Sequence, residues 1–359
     1  MDYFPEKGQG WKRKSAGEAG IDERLLNEAI AFSQDPGHVG SPVDLGANLV
    51  KQNTLRHDDG VTLGPTQFRG PVTGVVMRNG YLIAEWGDPL RVDMTFSVSK
   101  SFLSTVAGLA WDQGLIPDLN EPVGRLVDNG GYASEHNAQI TWNHSLRQIS
   151  EWDGTLYDKH HSAGNPDDEL LDPVTPGTRY EYNDVRVNRF GLSLLNVWRK
   201  PLPDTLRTEI MNPIGASDSW HWHGYANSWV DIDGRRIQSV SGGGHWGGGM
   251  WISAHDLARF GHLTLCRGKW GDRQLLSEKW VEQAMTPTEL RPTYGFMNWF
   301  LNTDRELAPS IPENHFYHGG AGVNRVWVMP ELDTVVVVRW ISGDRFDGFA
   351  KLMYNAVNG

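Results

Sequence analysis

Residues 96–102 read FSVSKSF, with Ser97 three positions before Lys100. Three residues apart on a helix, two side chains share a face and can touch. At a helix N-terminus the backbone N–H groups point outwards and favour developing negative charge. A lysine held neutral there, by burial or a neighbouring cation, can take the serine proton and leave an alkoxide-like nucleophile. The bland alternative is a serine cap followed by a solvated lysine. Spacing alone does not separate the two, although no other lysine of the chain has a serine three residues before it.

Two further segments carry related chemistry. Tyr182-Asn183-Asp184 follows a Pro-Gly turn and opens a helical run. A buried phenol beside an ammonium group loses its proton more readily and can relay protons between nucleophile and leaving group. The competing reading is a core tyrosine with a satisfied hydroxyl. His318-Gly319-Gly320 is expected to open the penultimate strand. Glycines at a strand edge admit a substrate close to the backbone, where a main-chain N–H can serve an oxyanion. A bulge at the strand entry, with His318 merely exposed, would look the same.

The elements that must position these residues follow from periodicity. Residues 22–32 have helical spacing with Asp22 as a cap, and TGVVMRNGYLIAEWGD reads as two strands about Asn79-Gly80. Apolar positions at helical intervals predict a helix over 97–113, and others over 184–200, 255–268, 277–285 and 345–357. NRVWVMPELDTVVVVRWI is two β-rich runs about a turn. The pattern implies an α+β fold: one mainly antiparallel sheet built from both chain ends, flanked by helices, with a mostly helical region inserted. The expected division is residues 1–105 and 250–359 for the sheet-containing part, and 106–249 for a helical and loop-rich insert. The site should lie in the cleft between them.

Bulk properties exclude several classes of function. The 359 residues carry a formal net charge of −11, against the basic face that nucleic acid or an anionic membrane requires. Lys12-Arg13-Lys14 is short and reads as a solvated tail. A single cysteine, Cys266, rules out an internal disulfide framework and a multi-cysteine metal site. Neither a signal-peptide core nor a window of about 18 apolar residues is present, so a cytoplasmic protein without a membrane partner is expected.

Taken in order, S-x-x-K, Tyr-x-Asn-like and Lys/His-x-Gly elements form the penicillin-recognising signature. The chain resembles the β-lactamase-related serine hydrolases: class C β-lactamases, DD-peptidases, family VIII carboxylesterases, D-aminopeptidases and 6-aminohexanoate-oligomer hydrolases. ITWNHSLRQISEWDG and GGGMWISAHDLARFG resemble the connecting segments of that family. The resemblance spans nearly the whole chain and implies a β-lactamase/transpeptidase-like fold. It makes Ser97 the acylated nucleophile, Lys100 its proton acceptor and Tyr182 the general base and acid. His318, Gly319 and Gly320 match the Lys-Thr-Gly element, with the Ala321 and Ser97 N–H groups as oxyanion donors. Asp184 stands where the family usually has Asn, which would favour an amine-bearing substrate. His318 replaces a lysine that holds a substrate carboxylate, which points towards esters.

The remaining constellations are weaker. G-x-S-x-G, H-E-x-x-H and phosphate-cradling glycine motifs are absent. His160-His161 and His221-Trp222-His223 have no acidic or cysteine partner at a suitable spacing, so no metal is expected. Most of the 16 tryptophans read as scaffold, with Trp152 a wall of the cleft. The sequence therefore implies a serine hydrolase without a cofactor, acting on small carboxylic esters. Amide or peptide hydrolysis, weak β-lactamase activity and a silent penicillin-binding-like scaffold are the alternatives.

Overall fold

The computed structural model describes residues 3–7, 10–56, 60–164 and 171–359, so part of the opening segment lies outside the described residues. Helix α1 (Glu23–Gln34) starts where expected, because the Asp22 carboxylate accepts the Leu25 N–H at 3.0 Å. Helix α2 (Leu45–Arg56) follows. Strands β1 (Thr73–Arg78) and β2 (Tyr81–Trp86) form the anticipated hairpin. Its turn residues Asn79 and Gly80 take φ of 51° and 82°, the backbone a two-residue type I′ turn demands.

Beyond the short strand β3 (Asp93–Met94) lies α3 (Val98–Asp112), buried without interruption from Val98 to Ala110. A helix enclosed in this way cannot be amphipathic. Apart from Lys100, its buried polar members are small hydroxyls, and Ser99 Oγ and Thr105 Oγ1 donate to carbonyls within the helix or just before it. Helix α4 (Asp184–Trp198) begins after Asn183, whose side chain caps it by accepting the Arg186 N–H. Then come β4 (His221–Ile232), β5 (Arg235–Val240), β6 (Gly249–Ile252), α5 (Ala254–Leu265) and α6 (Glu278–Met285). Four strands, β7 (Trp299–Leu301), β8 (Phe316–Gly320), β9 (Asn324–Met329) and β10 (Thr334–Arg339), precede the last helix, α7 (Phe346–Asn358).

The main sheet has the order β7-β8-β9-β10-β1-β2 and is antiparallel throughout. Its centre joins the two parts of the chain, Thr73 opposite Arg339 and Arg78 opposite Thr334. Alternate residues enter two different cores. Val75, Met77, Val335 and Val337 face the core that contains α3 and α5, while Val76, Val336 and Val338 face the one under α7. Both faces are covered, which is why residues 335–338 read as an unbroken apolar run. Each valine so enclosed contributes about 1.5–3 kcal/mol.

Two features differ from expectation. His221–Val240 is a long hairpin, part of a second sheet ordered β3-β6-β4-β5. A break in its register between Gly224 and Trp229 hides the alternation from the sequence. Its turn at Asp233-Gly234, with φ of 52° and 73°, is nonetheless a legible hairpin signal. Secondly, His318-Gly319-Gly320 closes β8, the strand before the penultimate one. Among the described residues, no helix is long and apolar enough to cross a membrane.

Candidate active site

Ser97 stands at the N-terminus of α3 with helical φ and ψ (−65°, −11°) and makes no side-chain cap. Its Oγ instead accepts a hydrogen bond from Lys100 Nζ at 2.7 Å, and Lys100 is fully buried. That removes the capped-serine, solvated-lysine alternative. The turn into the helix is tight: Phe96 has φ of +49°. Ser99 clamps it, donating to the Phe96 carbonyl at 2.6 Å and accepting the Met250 N–H at 2.7 Å. Gly243 packs beneath, where a Cβ would lie 2.0 Å from the Phe96 oxygen.

Lys100 has three partners for three N–H bonds: Ser97 Oγ, the Gly242 carbonyl at 3.3 Å and Asp184 Oδ1 at 2.8 Å. Burial by itself would raise the Asp184 pKa. The Lys100 charge and the hydrogen bond from His245 outweigh it and hold Asp184 well below the usual carboxylate range. The Asp184 charge is thus answered inside the protein, by Lys100, rather than left open for an amine-bearing substrate.

Tyr182 places its ring 4.9 Å from Lys100 Nζ, donates from its hydroxyl to Asn298 Oδ1 at 3.4 Å and borders the cleft beside Ser97. The structure therefore brings Ser97, Lys100, Tyr182 and Asp184 together. One expectation changes. Burial pushes the Tyr182 phenol up, the Asp184 charge pushes it further, and the neighbouring Ser97 hydroxyl only partly offsets them. With Lys100 paired to Asp184, its charge does not ease the phenol's ionisation, and Tyr182 rests protonated.

Strand β8 runs alongside α3. A Cβ on Gly320 would lie 2.1 Å from the Thr95 carbonyl and 3.1 Å from the Ser97 nitrogen, so only glycine fits there. Among the described residues, neither the Ser97 nor the Ala321 N–H has a hydrogen-bond acceptor. Two uncommitted donors therefore flank the mouth of the site. Ser97, Tyr182 and Ala321 line two adjoining lobes of one cleft. A lobe of about 300 Å³ is walled by Phe300, Tyr317 and Arg325, the guanidinium lying 3.9 Å from the Tyr317 ring centre. The other, about 380 Å³, reaches Asp184, His245, Gly322 and α2.

His318 and Trp152 do not line the cleft. On β8 the side chains alternate, so Tyr317 and Gly319 border it while His318 points under α3. His318 Nδ1 lies 2.9 Å from Ser101 Oγ, one helical turn beyond Ser97, and burial pushes its pKa down to about 3. A neutral, enclosed imidazole cannot replace a cationic substrate-binding lysine. Trp152 is buried, donating from Nε1 to the Gly131 carbonyl at 2.7 Å, and forms scaffold.

A family model described as Beta-lactamase matches residues 69–351. The chain belongs to the Beta-lactamase family. A Bacteroides dorei DSM 17855 protein provisionally named a β-lactamase is similar with TM-score 0.61 and 17% identity, over 84% of this chain and 96% of its own. A Bacillus anthracis protein provisionally named a 6-aminohexanoate-dimer hydrolase gives 0.60 at 14% identity, over 99% and 89%. For a family VIII carboxylesterase the values are 0.57 and 14%, over 89% and 98%. No curated protein matches the sequence. The fold is β-lactamase/transpeptidase-like, α+β, and Beta-lactamase-family proteins are generally serine hydrolases.

Two residues of this Beta-lactamase-family site went unrecognised in the sequence. Asn298, fully buried at φ of +69°, donates from Nδ2 to the carbonyls of Ser97 (2.6 Å) and Gly319, and its Oδ1 lies 3.4 Å from the Tyr182 hydroxyl. It ties α3, β8 and the phenol together, and nothing in YGFMNWF announces that role. His245 sits in the glycine-rich loop GGGHWGGG, and its Nδ1 lies 3.0 Å from Asp184 Oδ2. A histidine set among glycines was the available signal. Elsewhere, Asp153 supplies the acidic neighbour that His160 and His161 lacked in sequence, with ligand atoms within 4.8 Å of one another.

Proposed function

We propose that this chain is a serine hydrolase that cleaves small carboxylic esters through an acyl-enzyme on Ser97. The observation that carries the reading is the 2.7 Å contact between Lys100 Nζ and Ser97 Oγ, in a buried site between two uncommitted N–H donors. Ser97 Oγ attacks the acyl carbon as its proton passes to Lys100, whose own proton shifts towards Asp184, 2.8 Å away. The Ser97 and Ala321 N–H groups receive the developing oxyanion. Tyr182, held protonated, gives its proton to the departing alkoxide and is reprotonated from the Lys100–Asp184 pair. Lobes of about 300 and 380 Å³ suit a short acyl chain and a small alcohol. None of these steps uses a cofactor.

Ser97→Ala, shown to be folded by circular dichroism, should lose activity on a short p-nitrophenyl ester, and the wild type should carry an acyl adduct on Ser97 by intact mass. Retained activity in the variant would end the assignment. A screen of ester chain lengths, neutral and anionic, against small amides and β-lactams then fixes the substrate class. A folded wild type that a fluorophosphonate probe fails to label would favour a silent scaffold.

A further inference from the structure

The ion pair behind the nucleophile continues to a third group. His245 lies on the loop between β5 and β6, outside the three motifs that mark the site. Its Nδ1 lies 3.0 Å from Asp184 Oδ2, and its backbone N–H donates to the same oxygen at 3.3 Å. The loop is shaped for this contact. Gly243, Gly247 and Gly248 take φ of 77°, 83° and 68°, and a Cβ on Gly244 would lie 2.2 Å from Asp184 Oδ2. The imidazole rests against Trp246, ring centres 3.9 Å apart, and borders the same lobe as Ser97 and Tyr182.

A carboxylate that accepts from Nδ1–H fixes the tautomer and orientation of an imidazole and stabilises the imidazolium when Nε2 takes a proton. Here Nε2 has no hydrogen-bond partner among the described residues. The other groups around Ser97 are poorly placed to activate water. Lys100 donates to Ser97 Oγ and the Gly242 carbonyl and is ion-paired with Asp184, and Tyr182 rests protonated.

Resting on the acyl-enzyme reading, we propose that His245 is the general base of deacylation, taking the proton of the water that attacks acyl-Ser97. The water oxygen bonds to the acyl carbon as its proton moves to His245 Nε2, and Asp184 balances the new charge. The carbon–Oγ bond then breaks, Oγ takes a proton from Lys100, Lys100 recovers the His245 Nδ1 proton through Asp184, and the imidazole regains its Nδ1–H tautomer by proton exchange with solvent. The carboxylic acid leaves and the Ser97 hydroxyl is restored.

The test is pre-steady-state hydrolysis of p-nitrophenyl acetate by His245→Asn, which keeps a donor for Asp184 and removes Nε2. His245→Gln serves as a second variant, and circular dichroism confirms folding of both. The burst of p-nitrophenol should keep its wild-type rate while steady-state turnover falls by about a hundred-fold or more. Acetyl-Ser97 should accumulate by intact mass, and added hydroxylamine should discharge it. Wild-type turnover without accumulation overturns the proposal, and so does a burst slowed as much as turnover, which would limit His245 to holding Asp184. Hydrolysis by the wild type and both variants with no adduct on Ser97, even after rapid quench, would overturn the acyl-enzyme reading itself and this inference with it.

Discussion

Lys100 and Asp184 form an ion pair of 2.8 Å whose side chains are 0% and 8% exposed, directly behind the serine hydroxyl. Such a pair stabilises little relative to an apolar substitute, because desolvation offsets the attraction. Its value lies in the position it gives Lys100.

Breaking the pair should be costly. Asp184→Asn leaves the ammonium buried without its counter-charge, and unfolding free energy at pH 7 should fall by about 3–5 kcal/mol. The pH response gives a separate check. Asp184 is held below its unfolded value of about 3.9. Its stabilisation is complete above that pH and fades as pH falls further, because the unfolded chain then binds the proton first. Urea unfolding at pH 6 and pH 3 should show a smaller acid loss in the variant than in the wild type.

Tyr182→Phe separates leaving-group protonation from nucleophilic attack. For alkyl esters, whose alkoxides need a proton, kcat/KM should fall by about 10²–10⁴-fold. For p-nitrophenyl esters, with an acidic leaving group, the loss should be much smaller. Equal losses on both would show that the phenol acts on Ser97 alone.

His318 offers a linkage measurement away from the chemistry. Its pKa is about 3 in the folded protein against about 6.5 unfolded. Between those values only the unfolded state takes up the proton, so stability falls with falling pH, by up to about 1.4 kcal/mol per pH unit. The difference in unfolding free energy between wild type and His318→Gln should narrow as pH drops from 6.5 to 4. His318→Lys should destabilise strongly by burying a charge beside Ser101 and should not create a carboxylate site.

Gly320→Ala should disable the oxyanion donors without touching any proton-transfer group. The methyl would meet the Thr95 carbonyl and push β8 away from α3. A loss of about 10²–10³-fold in kcat is expected, with a lower Tm. Wild-type kinetics in this variant would mean that Ala321 does not serve the oxyanion.

What could be read directly was local. Ser97 and Lys100 share a helical turn, Asn79-Gly80 sets its own backbone, and Asp22 caps the helix that follows it. Apolar, β-rich runs about turn residues placed the strands at both ends of the chain. The rest depends on parity and on loops. One residue of offset along β8 decides whether position 318 or 319 borders the cleft, and no periodicity in FYHGGAG reveals it. Asn298 and His245 reach the site from loops 201 and 148 residues away from Ser97, so their roles exist only once the chain has folded. Trp152 carried no pattern of its own, and burial settled its place.

The central pairing of Thr73 with Arg339 has a consequence for biosynthesis. The hairpin that precedes Ser97 leaves the ribosome long before the strand it must sit beside, so a nascent chain carries Ser97 and Lys100 without the strand that completes their cleft. The cleft around Ser97 is complete only once the final strands are in place. A ribosome stalled before residue 316 would hold an inert polypeptide with an unpaired β1 edge, a natural client for a chaperone.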